Sequence, residues 1–386
     1  MIKAVLLDLD NTLLHNPDRQ FAQAFLQKLD NHFQLAINIE DVSVTFRRGI
    51  QALSSERDMI QTNTQVMATI ISEATNISFD LAHNTLLTFY ETQYHDLQSY
   101  TAPIANTQQL IEKLLAQKVA VAIVTNPLYP QIAILERLKW AGLSHFIDEF
   151  SFITHSDNMH FSKPNPAYYA EVVARIGIEP DEALMVGDST KNDIQPAETL
   201  GIHTIHITEA NTLDMLLEQI VTPNWQYQYT LQPLTPITII PQYQGNLGAL
   251  YGLLAEVKNH QWTQRPDPNE WSIRQILYHL QKSEPTIQRH RLQRILDEDN
   301  PFITSSPAPG PNLETYDNDE YDIANQFRLE RLKTIELLCN LESDQWQRPA
   351  RHSIFGLTTL LEMAHFTAQH DRLHISQLCQ TLGKCH

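Results

Sequence analysis

Cysteine is scarce in this chain: Cys339, Cys379 and Cys385 are all it has in 386 residues, and none shows zinc-site spacing. They read as free thiols of a reducing cytoplasm rather than a disulfide framework. Long hydrophobic runs are missing too, and nothing approaches the length that crosses a membrane. The apolar run that opens the chain stops within a few residues at Asp8, which reads as a buried strand rather than a signal peptide. Positive charge is the third shortage. The chain has 27 Lys+Arg against 45 Asp+Glu, a net charge of -18, which argues against a nucleic-acid backbone or an anionic membrane as partner. The deficit is uneven: 13 against 27 over residues 1–244, but 14 against 18 over 245–386. What remains is ordinary, 42% hydrophobic and 19% charged, in a chain long enough for two domains.

Four short apolar runs punctuate the first half: Ala4 to Leu7, Val119 to Val124, Ala183 to Val186 and His203 to Ile207. With helical patterns over Ile132 to Trp140 and Pro166 to Ile176, they predict a doubly wound parallel α/β sheet. Asp10 to Thr125 is far longer than the roughly 30 residues of a βαβ unit. Residues about 16–97 carry helical stripes such as Phe21, Phe25, Leu29 and Leu86, Leu87, Tyr90, so an inserted helical cap is expected there. The first domain is expected over 1–220. Pro223, Pro233, Pro236 and Pro241 then mark a linker over 221–244. Over 245–386 the texture predicts an all-α four-helix bundle, with helices near 245–260, 272–297, 322–342 and 358–382 and a long loop at 301–312.

Asp8-Leu9-Asp10-Asn11-Thr12 falls at the C-terminal end of the first strand, where open α/β sheets bind ligands. Two carboxylates at this spacing can divide the work of ester hydrolysis. Asp8 can attack phosphorus and form an aspartyl-phosphate, while Asp10 protonates the leaving oxygen and then deprotonates water. Thr125 and Asn126 follow the second strand and offer a hydroxyl and amides to a phosphate. Lys163, in Ser162-Lys163-Pro164-Asn165-Pro166, supplies a point charge just before a helix. Gly187 to Asp193 follows the third strand and brings two more carboxylates, Asp188 and Asp193. Mg²⁺ prefers one or two carboxylates plus phosphate and water oxygens, which fits Asp8, Asp188 and the main chain of Asp10, with Asp193 close by.

Taken in order, these four stretches resemble the motifs of the haloacid dehalogenase-like superfamily: DxDxT, a Ser/Thr after strand two, a Lys, and GDxxxxD. The resemblance covers about residues 1–210. It implies that Asp193 orients Lys163 or a metal-bound water, and that the cap closes over a small phosphorylated metabolite. The dehalogenase branch generally lacks the second Asp of the first motif; Asp10 is present, so phosphate ester hydrolysis is the implied activity.

In the second half, His370 and His374 stand at i and i+4 on the last expected helix, and His279 lies beside the inward set Ile273, Ile276, Leu277, Leu280. Ser272 with Gln275, and Thr359 with Glu362, fit capping boxes and fix the helical frame. Three convergent imidazoles describe a site for Zn²⁺ or another first-row metal. Residues about 245–386 resemble the DinB-like superfamily on Trp271-Ser272-Ile273, His279-Leu280 with Glu284, Asp344-Gln345-Trp346, Phe355-Gly356 and His370-Asp371-Arg372-Leu373-His374. That resemblance implies a divalent metal (Zn²⁺, Ni²⁺ or Fe²⁺) on His279, His370 and His374. It leaves two roles open: a transferase acting on a low-molecular-weight thiol, or a binding or dimerisation module. Pro285 is expected to kink the second helix, and His365 to lie off the metal face.

Overall fold

The computed structural model describes residues 1–55, 59–210, 212–305 and 319–385, in two compact units, Met1–Gln232 and Pro233–His386. Unit one opens with β1 (Ala4–Leu7), whose four side chains are all fully buried. That is why it reads as an unbroken apolar run rather than an alternating one. The chain passes through the Asp8–Thr12 loop into β2 (Leu14–His15) and on to four helices: α1 (Asp18–Ile37), α2 (Val42–Leu53), α3 (Asn63–Thr75) and α4 (Phe79–Thr92). It returns along β3 (Ala102–Pro103), antiparallel to β2, so the helical insert leaves and re-enters the core at one place. Thereafter α5 (Thr107–Ala116), β4 (Ala120–Ile123), α6 (Gln131–Trp140), β5 (Phe152–Ile153), α7 (Pro166–Ile176), β6 (Ala183–Gly187), α8 (Gln195–Thr199), β7 (His203–His206) and α9 (Leu213–Ile220) complete the alternation. The five long-range strands form one parallel sheet in the order β5-β4-β1-β6-β7, with Ala4 paired to both Ala120 and Ala183.

The cap helices start where side chains can satisfy free N–H groups. Thr62 and Gln65 form a reciprocal capping box at α3, and Ser78 accepts from the Leu81 amide at α4. Their inner faces meet in aromatic rings, with Phe25 touching Phe46, Phe89 and Tyr90. Tyr94 stacks on Trp140 of α6 at 5.5 Å, which carries the cluster onto the sheet domain. The edge strand β5 gave no sequence signal, since two residues are too few for a period.

The stretch expected as a linker is divided between the units. Trp225 is 1% exposed and donates to Gln117, the Ile2 amide donates to Gln226, and Tyr229 packs on His203. Residues to Gln232 therefore belong to unit one. In unit two, α10 (Ile239–Leu254) begins six residues before the expected start, with Pro241 in its first turn. A first-turn amide has no intrahelical acceptor, so proline there does not mark a linker.

The remaining long helices are α11 (Ile273–Ser283), α12 (Arg289–Asp297), α13 (Glu320–Cys339) and α14 (Leu360–Lys384). Both expected capping boxes are present, at Ser272/Gln275 and Thr359/Glu362. Between α11 and α12 the helix widens into a π turn over Glu284–Gln288 at Pro285, so the two run on as one interrupted element of a four-helix bundle. One feature had no counterpart in the sequence reading. β8 (Phe302–Ile303), β9 (Pro349–His352) and β10 (Gly356–Thr359) form a small three-stranded sheet beside the helices. Part of the loop expected at 301–312 is thus β8, and residues 306–312 lie outside the described residues. Among the described residues no helix is long and apolar enough to cross a membrane.

Candidate active site and a histidine cluster

The ends of β1, β4 and β6, with Lys163 just ahead of α7, deliver the polar part of one cavity, about 640 Å³ in volume. Asp8, directly after β1, is 6% exposed and accepts from Thr12 at 3.4 Å. Lys163 enters just ahead of α7, whose start is capped by Asn165 accepting from the Ala167 amide. Its Nζ lies 2.7 Å from Asp8 Oδ1 and 2.5 Å from Asp193 Oδ1. Asp193 also accepts from the Ser189 amide at 2.9 Å, which holds it against the end of β6. Gly187 makes that approach possible: a Cβ there would lie 2.5 Å from the Asp193 carboxylate. Carboxylate oxygens of Asp8, Asp188 and Asp193 come within 4.8 Å of one another.

Positive charge is short in this pocket. Burial pushes the Asp8 carboxyl up to about 8; Lys163 opposes the shift, but Asp193 and Asp10 add to it. Burial would also discharge Lys163, yet Asp8 and Asp193 help hold its ammonium well above its ordinary value. Three carboxylates around one lysine form a donor set suited to a hard divalent cation. Thr125 is 1% exposed and lines the cavity beside Asn126, whose Oδ1 is buried without a partner.

Asp10 lines the same cavity, its two oxygens held by different groups. Asn16 donates to Oδ1 at 3.1 Å and Arg137 lies 2.8 Å from Oδ2. Neither partner was singled out from the sequence. Arg137 did carry a signal. It stands on the buried face of α6, three and four residues from Ile134 and Ala133, in a position the apolar period reserves for the core.

In unit two, His279 of α11 meets His370 and His374 of α14. His279 and His370 place their Nε2 atoms 3.2 Å apart, and ring nitrogens of all three lie within 4.8 Å of one another. Two nitrogens bound tetrahedrally to one ion at 2.0–2.1 Å are about 3.3 Å apart. The Nδ1 of His374 is 3.0 Å from Gln377 Oε1, an arrangement that leaves its Nε2 to face the cluster. Burial and the neighbouring imidazoles push His279 down to about 3 and His374 to about 4, which keeps both in the neutral, ligating form. His365 is not part of the cluster. Glu284, at the end of α11, and Asp371 of α14 are bound by Arg331 of α13. Arg331 lies 2.5 Å from Glu284 and is paired with both oxygens of Asp371. Asp371 stays 3.8 Å from His370 Nδ1, beyond hydrogen-bond length.

The first site is that of a capped α/β hydrolase fold with a buried lysine among clustered carboxylates. Residues 5–207 match the model of the haloacid dehalogenase-like hydrolase family, just over half of the chain, and residues 242–378 match that of the DinB superfamily. The chain belongs to the haloacid dehalogenase-like hydrolases, and its first unit is a phosphatase of that family. A glyceraldehyde 3-phosphate phosphatase of Methanopyrus kandleri is 26% identical over 224 residues, 56% of this chain and 88% of that one. A phosphoglycolate phosphatase of Aliivibrio fischeri is 29% identical over 208 residues, 54% and 84% of the two chains. Among solved structures, a HAD phosphatase from Thermococcus onnurineus is 22% identical, covering 54% of this chain and 86% of its own, with a TM-score of 0.35. YfiT from Bacillus subtilis, described as an unusual four-helix bundle, is 17% identical and covers 40% and 89%, with a TM-score of 0.34.

Proposed function

We propose that unit one hydrolyses small phosphomonoesters through a phosphoryl group carried on Asp8. The observation that supports this most is the bridging of Asp8 and Asp193 by Lys163 at 2.7 and 2.5 Å, in a cavity that Asp10 also lines. Lys163 and the amide and hydroxyl of Asn126 and Thr125 bind the phosphoryl oxygens. Asp8 Oδ attacks phosphorus as Asp10 donates its proton to the leaving oxygen; Asp10 then takes a proton from water, which attacks phosphorus and frees Asp8. Asp193 keeps Lys163 in place. Mg²⁺, held by Asp8, Asp188 and the Asp10 main chain, would neutralise charge on the transferring group.

The test is hydrolysis of a generic phosphate ester with and without Mg²⁺. Asp8→Asn should lose at least about a thousandfold in kcat, because an amide is no nucleophile. Asp10→Asn should fall by about 10²–10⁴-fold while still binding Mg²⁺. Substantial Mg²⁺-dependent turnover by Asp8→Asn would remove Asp8 from this role.

For unit two we propose a divalent transition-metal site on His279, His370 and His374, supported by the 3.2 Å approach of two Nε2 atoms. Elemental analysis of the whole protein should find a metal that the His370→Ala/His374→Ala variant has lost and that chelation removes. Equal metal content in both proteins would reduce these histidines to core residues.

A further inference from the structure

Two cations line the cavity among the described residues, and both are engaged. Lys163 is held by Asp8 and Asp193. Arg137 is committed to Asp10 at 2.8 Å and wedged between the rings of Phe21 and Tyr129, 4.9 and 5.1 Å away. Beyond the strand ends, the wall is apolar: Phe21, Ala22 and Ile50 from the cap face Leu128 and Tyr129 from the loop after β4, with one amide, Asn16.

We propose that the substrate's leaving group is uncharged, an alcohol or aldehyde rather than a carboxylic acid. This rests on the phosphatase reading above and adds the substrate class to it. The charge balance carries the argument. With Asp10 carrying the proton it donates, Asp8, Asp188 and Asp193 face Lys163 and Arg137. One divalent cation leaves that set one charge positive, and the phosphate dianion makes it one charge negative. A further carboxylate on the leaving group would be drawn out of water against an apolar wall with no free counter-ion among the described residues. Recruiting Arg137 for it would pull the guanidinium away from Asp10, which it holds at 2.8 Å. An aldehyde or hydroxyl meets the same wall at little cost, and a hydroxyl can donate to the unpartnered Asn16 Oδ1. The two relatives above are named for substrates of opposite kinds, one an aldehyde phosphate and one a carboxylate phosphate. The wall of this cavity sides with the first.

Glyceraldehyde 3-phosphate and 3-phosphoglycerate differ only in an aldehyde against a carboxylate, so they form the test pair for whole protein with Mg²⁺. We expect kcat/KM to favour the aldehyde by about 100-fold. Equal or better turnover of 3-phosphoglycerate overturns the proposal and leaves the phosphatase reading intact. Absence of hydrolysis with every phosphate ester, p-nitrophenyl phosphate included, overturns both. Ile50→Arg, which sets a free cation in the apolar wall, should narrow the preference by about tenfold. An unchanged ratio in a folded, active variant counts against the electrostatic origin.

Discussion

Single residues in this protein are constrained by what lies within a few ångströms rather than by their own propensities. Gly187 adopts an ordinary backbone conformation, yet a Cβ there would collide with the Asp193 carboxylate at 2.5 Å. Gly187→Ala must therefore push Asp193 aside, and with it the acceptor that steadies Lys163. We expect a stability loss of about 1–3 kcal/mol, read as a lower Tm, together with a fall in kcat of more than about tenfold. A variant that keeps full kcat would show that Asp193 need not stand where it does. The nucleophile, lysine and acidic loop were legible because their spacing follows strand ends. Arg137 and Arg331 were missed for a shared reason: each is a cation on the apolar face of its helix, where a periodic reading looks for core. A charge in register with buried neighbours is the sign to look for, since it demands a buried partner; here those partners are Asp10 in one case and Glu284 with Asp371 in the other.

Helices of the cap are joined by polar contacts as well as rings. His32 of α1 is buried, with Nε2 3.0 Å from the Thr85 carbonyl of α4 and Nδ1 2.9 Å from the Gln93 amide. Nε2 thus carries the proton and Nδ1 accepts. Burial lowers the His32 pKa below its ordinary 6.5, with the Thr85 bond opposing. Because the folded value lies below the unfolded one, its contribution to stability is whole above about 6.5 and is lost as pH falls through that value. The Tm of unit one should therefore drop on acidification from about pH 7 to 5, and His32→Gln should show a shallower drop. Equal slopes in the two proteins would exclude His32 as a contributor. Elements were legible where a period had room to repeat. Strands β5 and β8, with two residues each, had no such room, and β9 and β10 are as long as β1 but carry no apolar run. The π turn at Pro285 was legible only as a kink, because sequence marks the missing N–H but not how the helix absorbs it.

At the scale of the molecule, the boundary between units is set by burial. Prolines between 221 and 244 suggested a linker, but Trp225 fills the first unit and its ring donates to Gln117. Residues 1–232 should therefore melt cooperatively when expressed alone, whereas residues 1–220 should lose about 3–5 kcal/mol or fail to fold. Matching Tm values for the two fragments would show that Trp225 is dispensable. The two-residue ribbon of β2 and β3 has a bearing on how the chain is born. Ala4 must wait for Ala120 and Ala183 before its strand has neighbours, whereas α1 to α4 find theirs between residues 18 and 92. Synthesis runs from the N-terminus, and distant partners are costly to bring together. On the ribosome, then, the cap can be finished while the strand that leads to Asp8 still hangs unpaired, so the sheet assembles around a cap already made.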